Sequence, residues 1–509
     1  MITRLFSTPW YPLVLGMYPI IALLAGNIGQ AQISVAFKPL FISLAASALL
    51  FSLLRLLLRD WHRAAFLTST FILLFFMYGH VYSYLKSVQF SGLALGRHRI
   101  LLVVWGALAA LAVWAAIRKS MNFASQASAI NVISLLLLVY PLYTITARSV
   151  SVYQASASSL LPVQALNMTE NQSLPDVYYI ILDSYTRSDV LYDVYGYDNS
   201  EFLNDLRDMG FYVADCSSSN YMWTKVSIAS TLNMDYLQDI PAYASAADKE
   251  VVAEDLLKHS RVRQTLEALG YETIAFATGY PFNELTDADM YLEPPELMKN
   301  VREFDALLMQ TTLLRVLQDF GVIYINQTAT ALYRDRTLFA IGHLDELAHM
   351  GGPQFVYMHI IAPHPPFVFG PNGEYLNPFE FVFDENGYTE STYSTGYVDQ
   401  VTFISNEIAR GVQKLISESP EPPIIMIQGD HGPWKQEGEN RVSILNAYYL
   451  PGHADALYPE VTPVNSFRVV LNGYFNAEYP VLEDVSYASP YANIHDFSLQ
   501  PISCETRGK

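Results

Sequence analysis

The first third of the chain contains five apolar stretches, which constrain its fold more than any other feature of the sequence. Each approaches the roughly 20 residues that an α-helix needs to cross about 30 Å of hydrocarbon. The stretches are Trp10–Ile28, Pro39–Leu58, Ala64–Leu85, Ile100–Ile117 and Ala129–Ile145. A buried core helix is the alternative for any single stretch, but five in succession with almost no acidic residues favour a membrane domain. The sequence therefore predicts five transmembrane helices within residues 1–149.

The charge of the chain is divided unevenly between its two parts. Residues 1–149 contain eleven basic side chains and one acid, a net charge of +10, whereas the remaining 360 residues contain 19 basic side chains and 48 acids, a net charge of −29. A part this acidic repels phosphate backbones, so nucleic acid is excluded as a partner. With the N-terminus inside, six basic residues of the membrane domain lie on the cytoplasmic side and five on the other, a small positive-inside excess. The odd helix number then places the acidic part outside.

Beyond the membrane domain, the sequence predicts a linker and then a soluble α/β domain. Residues 150–175 are rich in Ser, Ala, Gln and Asn and lack helical periodicity, as is typical of a linker. Residues 176–509 alternate apolar runs of strand length with amphipathic segments, among them a long helix predicted over 397–416. This alternation favours a mainly parallel sheet flanked by helices on both faces.

Carboxylates and imidazoles follow three of the predicted strands. Asp183, the pair Asp430 and His431, and His364 each come shortly after an apolar run. Because ligands of open α/β sheets bind beyond the carboxyl ends of the strands, we expect these side chains to lie close together. Asp and His are ligands for divalent cations such as Zn²⁺ or Mn²⁺. For each residue taken alone, a turn or other structural role is the alternative.

Thr224 stands at the start of a helix-length run that extends to about Met234. Its hydroxyl either caps the helix or lies at the positive end of the helix dipole, where an anion is favoured. A hydroxyl that also binds a metal can lose its proton near neutral pH and become a nucleophile. Ser227 is the next candidate for that role.

In this order, the residues resemble the alkaline phosphatase/sulfatase superfamily. The stretches that carry the resemblance extend from about residue 176 to 472 and are ILDSY, SNYMWTKVSIASTLNMDYL, HPPF, QGDHG, ILNAYYLPG and PVNSFR. Within the superfamily, the chain is most similar to the membrane-anchored group of lipoteichoic acid synthases and phosphoethanolamine transferases. That group combines about five transmembrane helices, a linker and an extracytoplasmic sulfatase-like domain, which matches the predicted division into 1–149, 150–175 and 176–509.

The resemblance implies a metal site with a threonine nucleophile. One divalent ion, Mn²⁺ or Zn²⁺ rather than Mg²⁺, would be held by Asp183, Thr224, Asp430 and His431, and Thr224 would attack the substrate. His364 would bind the transferred group or assist the leaving oxygen.

We also predict roles for three further residues near these motifs. Asn220 is a candidate pocket residue, with a turn role as the alternative, and Lys225 is a candidate substitute for an arginine that related enzymes place four positions after the nucleophile. His359, inside a predicted strand, is expected to be structural.

Two departures from the superfamily pattern bear on the reaction. The Cys-x-Pro-Ser-Arg motif of formylglycine sulfatases is absent, since Cys216 is followed by three serines. Asp183 is followed by Ser184 rather than by a second acid, so a second metal is unsupported. Both departures favour phosphoryl transfer over sulfate ester hydrolysis.

The expected function is that of a membrane-bound, metal-dependent phosphotransferase or phosphodiesterase. Its substrate would be a phospholipid head group or a lipid-linked group, and its catalytic domain would lie outside the cell membrane; the acceptor and the oligomeric state are left open. A sulfuric ester hydrolase and a non-catalytic lipid-sensing pseudoenzyme are the alternatives. Cys216 and Cys504, the only cysteines, can pair in an exported domain.

Overall fold

The structure is a computed structural model that describes residues 7–29, 31–86, 88–90, 93–94, 96–118, 121–158, 166, 174–295, 303–322, 325–376 and 388–504. The chain divides into two compact units. Residues 1–150 and 296–329 form the first, and residues 151–295 and 330–509 form the second. Residues 296–329 lie inside the predicted catalytic domain but belong to the first unit.

The first unit is built on apolar helices. Helices α1 to α5 are Tyr11–Gly26, Phe37–Leu58, Trp61–Leu85, His98–Ile117 and Ala127–Ser158. By length and composition, α2 to α5 are long enough to cross a membrane, whereas α1 has 16 residues. At a rise of 1.5 Å per residue, α1 spans about 24 Å, less than the hydrocarbon thickness of about 30 Å.

Helix α5 continues past the predicted start of the linker at residue 150 and ends at Ser158. The physical reason is that no glycine or proline occurs between Pro141 and Pro162 to stop it. Most of the predicted linker, residues 159–165 and 167–173, lies outside the described residues.

The remaining elements follow in chain order. Helices α6 to α18 are Ser188–Tyr195, Ser200–Asp208, Thr224–Asn233, Pro241–Ala244, Lys249–Lys258, Arg261–Ala268, Glu303–Thr311, Leu314–Asp319, Ile325–Gly342, Leu344–Leu347, Glu390–Glu418, Glu439–Val442 and Pro463–Phe475. Strands β1 to β11 are Gln89–Phe90, Leu93–Ala94, Val177–Leu182, Tyr212–Val213, Glu272–Phe276, Met290–Leu292, Gln354–Ile360, Ile424–Gly429, Asn446–Tyr449, Ser486–Ala488 and Ser498–Gln500.

The second unit contains a seven-stranded sheet in the order β4-β9-β8-β3-β7-β5-β6. Strands β8, β3, β7, β5 and β6 are parallel, and β9 runs antiparallel to β8. The central strands β3, β7 and β8 are completely buried because helices cover both faces of the sheet. The predicted mainly parallel α/β fold is therefore confirmed.

Each face of the sheet packs against its own apolar core. Helices α8, α10, α11 and α18 contribute to the core on one side, and α7, α14 and α16 contribute to the core on the other. Helix α8 is buried from Lys225 to Asn233, because it packs against the neighbouring helices α10, α11 and α18. This packing fixes the N-terminus of α8, where Thr224 lies.

Candidate active site

The candidate site lies where the three central strands end. In the parallel register, Leu182 of β3 is opposite Ile360 of β7 and Gly429 of β8. Asp183 and Asp430 follow their strands directly, so their carboxylates emerge side by side at the same edge of the sheet. His359 is the last residue but one of β7 and reaches the same place from within its strand.

A buried group of two carboxylates and an imidazole meets at this edge. Ligand atoms of Asp183, His359 and Asp430 all lie within 4.8 Å of one another. His359 Nε2 is 3.4 Å from Asp183 Oδ2. Asp430 Oδ2 is buried and has no hydrogen-bond partner among the described residues. A buried carboxylate oxygen without a donor is costly unless a cation or another donor satisfies it, so the group fits a divalent metal ion.

His431 adds a second imidazole to this group. Its Nε2 is 3.3 Å from Asp430 Oδ2 and 3.9 Å from Asp183 Oδ1. Its Nδ1 is 2.9 Å from the carbonyl oxygen of Gly432, which only an N–H satisfies. In neutral His431, the lone pair is therefore on Nε2 and faces the two carboxylates, as in a histidine that binds a metal.

The hydrogen bonds of His359 indicate that its neutral form has the hydrogen on Nε2, whereas neutral His431 has it on Nδ1. Its Nδ1 accepts from Asn283 Nδ2 at 2.6 Å, while Asn283 Oδ1 accepts from the Thr278 hydroxyl at 2.7 Å. In neutral His359, Nε2 then carries the hydrogen and, in the described part of the chain, lies 3.4 Å from Asp183 Oδ2. This geometry favours His359 as a donor toward the site over His359 as a metal ligand.

Sequence reasoning assigned His359 a structural role because it lies inside a strand. Its position at the carboxyl end of a central strand was the signal that pointed to the site, since side chains near that end reach the sheet edge. The side chain contacts Asp183, so its place is in the site rather than in the apolar core.

Thr224 is the first residue of α8, and its hydroxyl does not cap the helix. Trp223 is the N-cap residue, without a side-chain capping bond. Thr224 Oγ1 instead lies 3.0 Å from His431 Nε2, although the two residues are 207 positions apart. Of the two roles that the sequence allowed for this hydroxyl, the contact with His431 favours the one in the site.

Ser227, the alternative nucleophile, faces the same region but is engaged. Its hydroxyl donates to the carbonyl oxygen of Asp430 at 2.7 Å. The bond links α8 to the segment that follows β8, which indicates a positioning role for Ser227.

His364 lies beside the metal group. Its backbone N–H donates to the carbonyl oxygen of Asp183 at 3.0 Å, and its own carbonyl accepts from Tyr333 and Gln400. These contacts fix the HPPF segment next to Asp183, where the His364 imidazole acts on the pKa of that carboxylate.

Asn220 and Lys225 are engaged away from the metal group. Asn220 is fully buried, donates to Thr462 Oγ1 and to the carbonyl oxygen of Val485, and accepts from the N–H of Val464. It thus connects the loop before α8 to the start of α18.

The Lys225 ammonium is ion-paired with Glu250, which His495 also contacts at 2.8 Å. Tyr243 OH is 2.7 Å from the other ring nitrogen of His495. Lys225 therefore connects α8 to α10 and to the C-terminal segment, and its described contacts do not reach the carboxylates of the site.

An aromatic cluster with a buried arginine flanks the site, and no sequence motif predicts it. The rings of Trp223, Trp434 and Tyr491 have centroids 5.4 to 5.6 Å apart. The Arg441 guanidinium lies 5.0 Å from the Trp223 ring and donates to the carbonyl oxygen of Gly432. A positive charge is thus held beside the Asp-His-Gly segment.

The charged groups of the site influence one another strongly. Burial works against a charge on Asp183, but the neighbouring His364, His359 and His431 outweigh burial and lower its pKa. Burial and then the charge of Asp183 raise the pKa of Asp430. Burial and then the Arg441 charge lower the pKa of His431 well below 6.5, which leaves it neutral at pH 7.

Comparison with known proteins gives a family match for the chain. The family described as Sulfatase matches residues 175–468, more than half of the chain. No curated protein sequence matches significantly.

Several solved structures are similar to the chain at low identity. The C-terminal periplasmic domain of EptC from Escherichia coli, in complex with zinc, is 12% identical and has a TM-score of 0.45, with 66% of this chain and 96% of that chain covered. The lipooligosaccharide phosphoethanolamine transferase A of Neisseria meningitidis, an integral membrane protein, is 12% identical with a TM-score of 0.40, covering 91% and 95%. The phosphonate monoester hydrolase of Agrobacterium radiobacter is 12% identical with a TM-score of 0.38, covering 62% and 80%.

These structural likenesses are too distant to assign a reaction. The match over residues 175–468 includes Asp183, Thr224, His364, Asp430 and His431. On this match, the chain belongs to the sulfatase family.

Proposed function

We propose that the protein is a membrane-bound, metal-dependent phosphotransferase or phosphodiesterase that acts on a phospholipid head group through Thr224. The observation that carries the proposal is the contact of 3.0 Å between Thr224 Oγ1 and His431 Nε2, beside two buried carboxylates. A hydroxyl in this position is not used for capping and is available for chemistry.

The metal would be one divalent ion, Zn²⁺ or Mn²⁺, held by Asp183, Asp430, His431 and Thr224. When bound, such an ion would neutralise charge on the substrate phosphate and lower the pKa of the threonine hydroxyl. His359, whose Nε2 lies 3.4 Å from Asp183 Oδ2, would donate its Nε2–H to a phosphate oxygen.

The chain's own residues account for positioning and charge. Thr224 loses its hydroxyl proton to solvent, and its Oγ attacks phosphorus in line and bonds to it. The bond from phosphorus to the lipid oxygen breaks, and the lipid leaves as an alcohol after gaining a proton from solvent. The N-terminus of α8 stabilises the phosphate bound to Thr224, because the positive end of its dipole faces that position. His364 assists the leaving oxygen. Water or an acceptor hydroxyl then attacks the phosphothreonine and restores Thr224.

A sulfuric ester hydrolase is the second candidate within the family, but two observations disfavour it. Position 224 holds threonine rather than the cysteine from which formylglycine is made. Cys216, the nearest cysteine, is bonded to Cys504 and is not available for that conversion.

We place the catalytic unit outside the cytoplasm. The disulfide supports this location, since disulfides form and persist in oxidising compartments. This location also requires α1 to cross the membrane together with α2 to α5, because only an odd number of spans brings the chain to the side opposite the N-terminus. The test is a reporter that works only in the cytoplasm, fused after Lys509. Activity of this reporter would contradict the proposed location.

The proposed nucleophile is tested by substitution and mass measurement. The protein is incubated with a phospholipid extract, and intact mass and turnover are compared among wild type, Thr224→Ala, Thr224→Ser and Ser230→Ala. We expect a covalent phosphorylated adduct on wild type, none on Thr224→Ala, and partial turnover for Thr224→Ser, which keeps a hydroxyl. Ser230→Ala is the control in the same helix, where the hydroxyl bonds only the Asp235 carbonyl among its described contacts.

Each alternative has its own outcome in that experiment. Unchanged turnover in Thr224→Ala would eliminate Thr224 and leave Ser227 as the next candidate. Turnover of sulfate esters without turnover of phospholipids would favour the sulfatase. A metal-loaded protein that turns over neither substrate would favour the pseudoenzyme.

A further inference from the structure

Part of the segment between β6 and β7 packs within the membrane unit rather than the catalytic unit. Residues 296–329 belong to the first unit, and their described part contains α12 and α13. We call residues 303–322 the insert. It lies about 150 residues after the last apolar helix in sequence, so the chain enters the membrane unit twice.

One side of the insert is buried among the apolar helices. Phe304 and Leu308 are 4% and 9% exposed and belong to a cluster with Ile20, Leu24 and Phe76. Val316, 8% exposed, contributes to a second cluster with residues of α3 and α4. These contacts bury apolar side chains, which stabilises the attachment.

The backbone of the insert also approaches α3 closely. The N–H of Leu313 donates to the carbonyl oxygen of Phe75 at 2.8 Å. Gly79 makes this approach feasible, since a Cβ there would lie 2.1 Å from the carbonyl oxygen of Gln310. A glycine inside an apolar helix is thus explained by the passage of the insert.

A polar cluster adds specific contacts to this apolar packing. His98 Nε2 lies 2.8 Å from Asp319 Oδ2, and its Nδ1 lies 2.8 Å from the Tyr78 hydroxyl. Arg315 lies 3.5 Å from Asp319 and covers the ring of Tyr82, with its guanidinium carbon 4.6 Å from the centroid. These partners are donors and acceptors in a fixed arrangement, so the insert has a defined register on α3 and α4.

The contacts lie at one end of the bundle. They involve the C-terminal halves of α1 and α3, and the N-terminal ends of α2 and α4, where Lys38 pairs with Asp305 at 4.0 Å. Because consecutive spans alternate in direction, these four ends lie on the same side of the membrane, and α5 ends on that side too. The insert therefore lies at the membrane surface from which the chain continues into the catalytic unit.

The other side of the insert is apolar and exposed. Phe320 and Val322 are 60% and 63% exposed, and Leu307 and Leu317 are 44% and 39% exposed. Apolar side chains on a segment attached to membrane-spanning helices are covered by the boundary between head groups and acyl chains. Lipid is thus the occupant that this surface fits.

We infer that the insert is a second membrane anchor of the catalytic unit, bound to the ends of α1 to α4 and immersed in the lipid interface. The linker is then not the sole attachment of the catalytic unit. This inference does not depend on the proposed reaction.

The test separates the two attachments in the full-length protein. A recognition sequence for a site-specific protease is placed within residues 159–173, and the protein in native membrane vesicles is cleaved completely. Vesicles are then floated on a density gradient, which separates membrane-bound fragments from aggregates. We expect the C-terminal fragment to float with the vesicles although its covalent connection to α5 is cut.

Substitutions identify the insert as the cause. Leu308→Asp and a replacement of 303–322 by a Gly/Ser sequence of equal length should release most of the cleaved fragment. Leu499→Asp, a substitution of a 64% exposed leucine in β11, is the matched control and should leave it bound. The melting temperature of the released fragment shows whether the catalytic unit is folded.

Two outcomes would overturn the inference. One is release of the wild-type fragment into the soluble fraction after cleavage. The other is a fragment that floats equally well after the insert has been replaced.

Discussion

The role of the Thr224 hydroxyl depends on a single contact, the one with His431. A threonine at a helix start is ordinarily a capping residue, and its replacement by alanine costs about 0.5–2 kcal/mol of stability. Here the hydroxyl contacts His431 instead. Thr224→Ala should therefore affect the reaction far more than the fold, which distinguishes a nucleophile from a cap.

A metal at Asp430 should be measurable without any activity assay. We expect one divalent ion per chain by elemental analysis, and a lower content in Asp430→Asn because one buried carboxylate is lost. Chelation should lower the melting temperature, since an ion present at 100 times its Kd stabilises the native state by about 2.7 kcal/mol. Asp198→Asn, at an exposed position, is the control. Two ions per chain would contradict the single-metal proposal.

His259 should make stability depend on pH outside the site. Hydrogen bonds to Asp255 and then Asp287 raise its pKa to about 9. Because the folded-state pKa lies above the unfolded value of about 6.5, the stabilisation is complete below pH 6.5 and is lost as the pH rises through 9. His259→Gln should lower the melting temperature at pH 6 and have little effect at pH 10. An equal effect at both values would contradict this assignment.

Helix α16 shows how an element remote in sequence supports the site. It begins with a capping box at Thr389 and Thr392 and packs its buried face on the sheet. Gln400 of this helix donates to the carbonyl oxygen of His364 and accepts from the N–H of Val368. The HPPF segment is thus fixed between α16 and Asp183.

Gly396 is the position of α16 most sensitive to added volume near this segment. A Cβ there would lie 2.4 Å from the Phe367 ring, so Gly396→Ala should destabilise the catalytic unit by about 1–3 kcal/mol. Gly342→Ala, in α14, is the control, because no atom lies within 4 Å of its Cβ position. The measurement is the melting temperature of each variant. Equal melting temperatures would show that the ring moves aside without cost.

The disulfide joins two segments of the catalytic unit that are far apart in sequence. Cys216 and Cys504 are 288 residues apart in sequence and are bonded with a Cα–Cα distance of 5.5 Å. The bond confirms the pairing expected from the sequence. It connects the loop before α8 to the C-terminal segment, which also provides Tyr491 and His495 around that helix.

Loss of this bond should destabilise the unit by about 2–5 kcal/mol. Cys504→Ser should lower the melting temperature without reductant, and added reductant should lower that of wild type to the same level. Reductant should have no effect on the variant, which is the internal control. Labelling of both thiols in membranes without reductant would contradict the bond.

The sequence alone determined the division into an apolar part and an acidic α/β part, because that division depends on composition. It also predicted Asp183, Asp430, His431 and His364 as neighbours, since parallel strands bring their carboxyl ends to one sheet edge, and the family resemblance added Thr224 to them. For the four strand-end residues, local position and chain order were sufficient.

Only the tertiary structure decided which way the remaining side chains face. Asn220 is a structural connector, His359 faces the site, Arg441 lies beside it, and residues 303–322 belong to the membrane unit. The physical reason is that each outcome depends on partners distant in sequence, such as Asn283 for His359 and His98 for the insert. No local pattern encodes such a partner, because the hydrogen bonds and buried areas exist only once the chain is folded.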